Sequence, residues 1–91
     1  KDPRMEQADD LVKGRVYESA LEIFLEVWRQ NGNIAAGFNA AILYEVTGQL
    51  DMAIAQMKSV VDRTADKKAM REYNRLLTVK QEQARLREQQ S

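Results

Sequence analysis

The chain has 91 residues, of which 44% are hydrophobic and 31% are charged, and its formal net charge is zero. This length allows one domain with a single modest core, and this composition lies outside the disordered class of proteins. A neutral chain also lacks the excess positive charge that draws proteins to nucleic acid or to anionic membranes. The charge is unevenly spread, however, because residues 1–62 carry a net charge of −4 and residues 63–91 carry +4.

The first part of the chain predicts two helices, over about residues 3–13 and 16–30. Asp2 is a suitable N-cap and Pro3 suits the first helical turn, while Gly14 indicates a stop. Apolar residues recur at three- and four-residue spacings, as expected of helices with one buried face. These residues are Met5, Ala8, Leu11 and Val12 in the first helix, and Val16, Ala20, Ile23 or Phe24, Val27 and Trp28 in the second.

The rest of the chain predicts three more helices, over about residues 34–47, 50–63 and 66–89. Asn33 is the expected N-cap of the third helix, Gly48 ends that helix, and Thr64 or Asp66 caps the fifth. The third helix is rich in small residues, which favours close approach by its neighbours. The apolar residues of the last two helices are Ala53, Ile54, Met57, Val60 and Val61, followed by Met70, Tyr73, Leu76 and Leu77. After Val79 the fifth helix becomes a polar tail.

An internal repeat is visible in the first two thirds of the chain. Leu11, Ala20, Phe24 and Val27 return at one constant offset as Tyr44, Ala53, Met57 and Val60, and Gly14 returns one position beyond that offset as Gly48. The second copy contains the run Asn39, Ala40, Ala41, Tyr44, Gly48, Leu50, Ala53, Met57 and Val60. This run resembles the tetratricopeptide repeat family, whose period is about 34 residues. The first copy resembles the family pattern less closely, since its first helix lacks the aromatic residue.

The resemblance implies an all-α fold of antiparallel helix pairs within one domain of residues 1–91. Repeat one would cover residues 2–32, repeat two residues 33–65, and a long capping helix residues 66–90, so that the chain forms a fragment of an α-solenoid. About three repeats are usually needed for a continuous core. We therefore expect the chain to belong to a larger protein or to associate.

The same resemblance implies a non-catalytic module that binds a peptide or a partner helix in a concave groove. The first helix of each repeat lines that groove in the family. Carried over by register, the groove residues are Met5, Asp9, Phe38, Asn39, Ile42, Glu45, Lys68, Arg71 and Arg75. The last three make one wall basic, so we expect an apolar partner with an acidic end.

Self-association is the competing hypothesis. The polar tail of residues 80–90 is longer than a simple cap requires, and the opposite charges of the two ends of the chain favour head-to-tail stacking. The chain would then be a structural element that forms a homo-oligomer through its last helix or through stacked repeats.

Catalysis, cofactors and metals are not expected. The chain has no histidine and no cysteine, which removes the common nucleophile–base pairs and the usual zinc sites. Glu18, Glu22 and Glu26 fit a solvated acidic face, and the aromatic residues fit a core better than a base-stacking platform. No apolar run is long enough for membrane insertion. The compartment stays open, because the sequence fits a processed bacterial envelope protein and a trimmed cytoplasmic chain equally well.

Overall fold

The computed structural model describes residues 2–90 and confirms the all-α class. Within that range the secondary structure consists of five α-helices, and no strand is present. Their bounds are α1 Pro3–Lys13, α2 Tyr17–Asn31, α3 Ile34–Val46, α4 Leu50–Thr64 and α5 Lys67–Gln90. Each bound lies within one residue of the predicted one. The periodic apolar stripes and the cap residues therefore locate the helices correctly.

Each helix packs mainly against the helices that precede and follow it in the chain. Extensive contacts join α1 to α2, α2 to α3, α3 to α4 and α4 to α5. The resulting body is elongated and thin, with principal extents of 49 × 30 × 16 Å. No single helix lies at the centre of a bundle, and the core runs along the row of helices.

The core repeats at the offset that the sequence shows. At the positions that bring the helices close together, both members of each pair are fully buried alanines: Ala8 and Ala41, Ala20 and Ala53, and Ala36 and Ala69. Larger side chains repeat in the same way, since Phe24 and Val27 in α2 correspond to Met57 and Val60 in α4. A side chain limited to Cβ lets two helix backbones approach closely, and the larger residues fill the space between the alanines.

The α1–α2 turn and the α3–α4 turn also have matching conformations. The residue of the first turn that corresponds to Gly48 is, however, one position later than predicted. Gly48 has a φ of 81°, and the residue at the equivalent position of the first pair, Arg15, has a φ of 63°. Gly14 has an ordinary φ of −83°. The sequence comparison paired Gly14 with Gly48 because both are glycine. The structure shows that the left-handed position in the first turn is occupied by an arginine, whose conformation the glycine pattern could not reveal.

The turns from α2 to α3 and from α4 to α5 are built alike as well. Gly32 and Ala65 both adopt left-handed conformations, with φ values of 64° and 53°. The next residue then caps the following helix, as the Oδ1 atom of Asn33 accepts a hydrogen bond from the Ala36 N–H at 3.0 Å. Asp66 does the same for α5 through Oδ2 at 2.9 Å. The predicted caps at Asn33 and Asp66 are confirmed, as is Asp2 at the start of α1.

The predicted apolar face of α5 is wrong at Met70. This side chain is 42% exposed, whereas Leu76 is fully buried and Tyr73 and Leu77 are half-buried. The reason is that α5 packs extensively against α4 alone. In the described chain no further helix covers the side of α5 that carries Met70.

Trp28 fixes the spacing between the two helix pairs. A Cβ atom added to Gly37 would lie 2.7 Å from Cδ2 of Trp28 and 2.9 Å from Cγ2 of Val60. The guanidinium carbon of Arg63 also lies 4.3 Å from the centroid of the indole ring, a cation–π contact. The indole ring is therefore in contact with α3 and α4 and holds them at a set distance from α2.

Replacing Gly37 by alanine is expected to destabilise the fold by about 1–3 kcal/mol, because the added methyl group overpacks the contact with Trp28. Gly14→Ala is the matched control. A Cβ atom there meets its nearest neighbour at 3.7 Å and the backbone is unstrained, so this change should be neutral or stabilising by up to about 1 kcal/mol. Urea unfolding followed by circular dichroism measures both. Equal effects of the two substitutions would contradict the close packing.

The left-handed conformation of Ala65 gives a second prediction. Ala65→Gly should stabilise the fold by about 1 kcal/mol, since the Cβ atom disfavours this conformation. The same substitution at Ala55, which is exposed in the interior of α4, should destabilise it by about 1 kcal/mol. The same chemical change, alanine to glycine, should thus alter the free energy of unfolding in opposite directions inside α4 and at its C-cap. A loss of stability in both variants would show that Ala65 is not left-handed in solution.

Candidate interaction face of α1, α3 and α5

The odd-numbered helices lie next to one another along one side of the molecule, which we call the α1/α3/α5 face. A cavity between α1 and α3 is lined by residues of both helices, including Asp9 and Asn39. Contacts between side chains join α3 to α5, as Glu45 accepts a hydrogen bond from Arg75 and Phe38 lies under Lys68. The nine predicted groove residues are all carried by these three helices.

The cavity between α1 and α3 is small and mostly apolar. Its volume is about 170 Å³. Its lining consists of Val12 from α1, Phe24 from α2, Ile42 and Leu43 from α3, and the polar side chains of Asp9 and Asn39. A cavity of this kind can accept one apolar side chain and offers an acidic and an amide group to the atoms next to it. Phe24 and Leu43 were not predicted here, because their spacing identified them only as core residues.

A larger depression adjoins this cavity on the α1 side. It has a volume of about 600 Å³ and is lined by Asp2, Pro3, Met5, Glu6, Asp9 and Asn33. Asp9 lines both spaces. Met5, Asp9, Asn39 and Ile42 thus line two adjoining spaces, which we together call the α1/α3 cleft. Ile42 and Asn39 are half-buried and Asp9 is exposed.

The acidic residues of this cleft differ in whether they form ion pairs within the chain. Asp2 accepts hydrogen bonds from the side chain and the backbone N–H of Arg4, and these lower the pKa of its carboxyl to about 2. Arg4 also donates to Glu26 at 3.1 Å and to Gln30 at 2.8 Å, which ties the start of α1 to the end of α2. Among residues 2–90, neither Glu6 nor Asp9 forms an ion pair. The charges of these two residues therefore remain available to a partner.

On the α5 side of the face, contacts with α3 determine which basic side chains are already paired within the chain. Arg75 donates to Glu45 and to Glu72, and these bonds raise the pKa of its guanidinium group. Its charge is therefore met within the chain, and Glu45 is equally occupied. Arg71 is exposed and takes part in no ion pair of the described residues.

Lys68 covers part of the apolar surface of α3. Its Nζ atom lies 4.9 Å from the centroid of the half-buried Phe38 ring, within the range of a cation–π contact. Lys68 itself is exposed, so a partner that packs on Phe38 would also meet its ammonium group. Of the three basic groove residues predicted from the sequence, Lys68 and Arg71 are therefore the two that form no ion pair among the described residues.

A further depression that the sequence did not predict lies on the α2/α4 side. It has a volume of about 320 Å³, and its lining includes Leu25, Trp28, Tyr44 and Met52. Met52 is 49% exposed. This depression offers one arginine and no carboxylate, so it lacks the acidic group that the α1/α3 cleft presents.

No family model, curated protein or solved structure matches this chain. Its function must therefore be inferred from its own residues. Within the part that the structure describes, no helix is both long enough and apolar enough to cross a membrane. In the same residues no three acidic side chains stand close enough together to hold a metal ion.

Proposed function

We propose that this protein is a non-catalytic interaction module of the tetratricopeptide type that binds a peptide or a partner helix on its α1/α3/α5 face. The observation that carries the proposal is the apolar cavity between α1 and α3, with the carboxylate of Asp9 and the amide of Asn39 at its lining. A cleft with an apolar interior and a few polar groups is typical of sites that bind an extended segment or a helix.

The repetition of structure supports the tetratricopeptide assignment. Buried alanines, left-handed turn residues and cap residues recur at one constant offset along the chain. That offset is close to the period of the family, which is about 34 residues. The sequence run that resembles the family occupies the second helix pair, α3 and α4. In that family the first helix of each pair lines the binding surface, which corresponds here to α1, α3 and α5.

The chemistry of the face indicates the class of partner. Phe38 and Ile42 supply apolar surface in its middle, and Lys68 and Arg71 supply positive charge on α5. A partner with an apolar stretch and an acidic end complements this arrangement. Binding such a partner requires no catalytic residue.

Selection of phage-displayed peptides against the whole chain tests this proposal. Peptides that bind should lose about fivefold in affinity for Ile42→Ala, because the variant removes apolar contact area from the cavity. Met52→Ala is the matched control, since it truncates an exposed apolar side chain on α4 that does not line the cavity. Circular dichroism shows whether each variant is folded. Peptides that depend on Met52 and not on Ile42 would contradict the proposed face.

Self-association is a second candidate, and the exposure of the α5 tail favours it. Every residue of the range 81–90 is exposed, including Leu86 at 45%, although the segment is fully helical. Lys80, just before this segment, forms an ion pair with Asp51 of α4 at 2.9 Å. The last part of α5 therefore extends beyond the core of the molecule, and its exposed Leu86 could pack against another chain.

Light scattering coupled to size-exclusion chromatography separates the two candidates. A receptor that acts alone should have the monomer mass, both as the whole chain and when truncated after Val79. A dimer that becomes a monomer on truncation would make α5 an assembly element. The truncation removes no residue that is buried in the core, so the shortened chain should keep its helical circular dichroism spectrum.

A further inference from the structure

The α1/α3/α5 face is electrically polarised across its width. Glu6 and Asp9 on α1 are exposed carboxylates without an ion pair among the described residues. Lys68 and Arg71, one helical turn apart on α5, are exposed cations whose charges no carboxylate of the described chain meets. Between these two edges lies apolar surface on α3. The order across the face is acidic, apolar, basic.

We infer that the occupant of this face is an extended segment of a partner protein that carries a basic residue, an apolar residue and an acidic residue in matching order. The basic residue lies at Glu6 and Asp9, the apolar side chain enters the cavity between α1 and α3, and the acidic residue lies at Lys68 and Arg71. This inference rests on the proposed function and adds the charge order of the ligand.

The ligand needs a basic residue because Asp9 lies at the edge of the apolar cavity. Asp9 lines both the apolar cavity and the adjoining depression, so a side chain that fills the cavity must also cover part of this carboxylate. Covering a charge without a partner is unfavourable, because the lost hydration is not replaced. A Lys or Arg next to the apolar residue removes this cost, whereas an acidic neighbour would increase it.

We place the acidic residue of the ligand at Lys68 and Arg71 because Arg75, the third basic residue of α5 on this face, is already paired. The guanidinium group of Arg75 already donates hydrogen bonds to Glu45 and Glu72, so a ligand carboxylate would gain little binding free energy from it. Lys68 offers its charge directly beside the apolar surface, since it lies over the Phe38 ring. The same argument disfavours nucleic acid, because a phosphate chain across the face would meet Glu6 and Asp9.

The width of the face sets the length of the segment. Neighbouring packed helices are about 8–10 Å apart, and two such spacings set about 20 Å as the minimum distance from α1 across α3 to α5. An extended chain rises about 3.3 Å per residue, and about six residues therefore span this distance. A short peptide is enough to reach both charged edges at once.

Three labelled octapeptides with one apolar centre test the charge order by fluorescence anisotropy at low salt. The first is Lys-Arg-Ala-Leu-Ala-Leu-Asp-Glu, the second has Lys-Arg at both ends, and the third has Asp-Glu at both ends. The first should bind the whole chain about fivefold more tightly than either of the others, because only it satisfies both edges. Raising the salt concentration should reduce this preference.

Two variants of adjacent residues make the test specific. Asp9→Lys should weaken binding of the first peptide about fivefold and abolish its preference over the third peptide, because the new positive charge offsets that of Glu6 and leaves the α1 edge neutral. Asp10→Lys changes the net charge equally, but Asp10 is an exposed residue that lines neither space, so the order of the three peptides should stay as in the unmodified chain. Circular dichroism checks that both variants are folded.

The outcomes separate this inference from the proposed function. Equal effects of Asp9→Lys and Asp10→Lys, or equal binding of all three peptides, would overturn the charge order and leave binding on the face intact. Binding of none of the three would overturn the inference as well. The phage selection then shows whether peptide binding itself fails, since it imposes no charge order.

Discussion

The close approach of helices at buried alanines is the constraint on which the rest of this structure depends. Ala8, Ala20 and Ala36 have counterparts at Ala41, Ala53 and Ala69, and all six are fully buried. At such contacts a larger side chain would push two helix backbones apart. The spacing of α1, α3 and α5, and with it the width of the cleft between α1 and α3, is set by these contacts and by the fit of Trp28 against Gly37.

The candidate face follows from that spacing. Because α2 and α4 supply most of the large core side chains, the odd-numbered helices can leave apolar residues such as Phe38 and Ile42 half-buried. Phe24 reaches from α2 to form part of the cavity lining, so one side chain serves both the core and the site. Charges around the cavity then divide into those paired within the chain, such as Asp2 with Arg4, and those with no ion pair among the described residues, such as Asp9.

Much of the fold could be predicted from the sequence, and less of the site. Apolar periodicity and the caps at Asp2, Asn33 and Asp66 give the helix bounds, because these signals are local. The left-handed Arg15 could not be found, since arginine carries no sequence signal for that conformation. Register assigned Arg75 to the candidate face but could not show that Glu45 and Glu72 pair with it, because that pairing depends on side-chain positions in three dimensions. The exposure of Met70 likewise depends on which helices flank α5.

The packing of each helix mainly against its neighbours in the chain has a consequence for how the molecule folds. The extensive contacts join helices that are adjacent in the chain, so the entropy lost before the first helix pair forms is small and folding should be fast. Such a row of helices can begin to fold at any adjacent pair and extend in both directions. At equilibrium the outermost helices, each held on one side only, open more often than the centre. One wall of the α1/α3 cleft, α1, should therefore open more often than the other wall, α3.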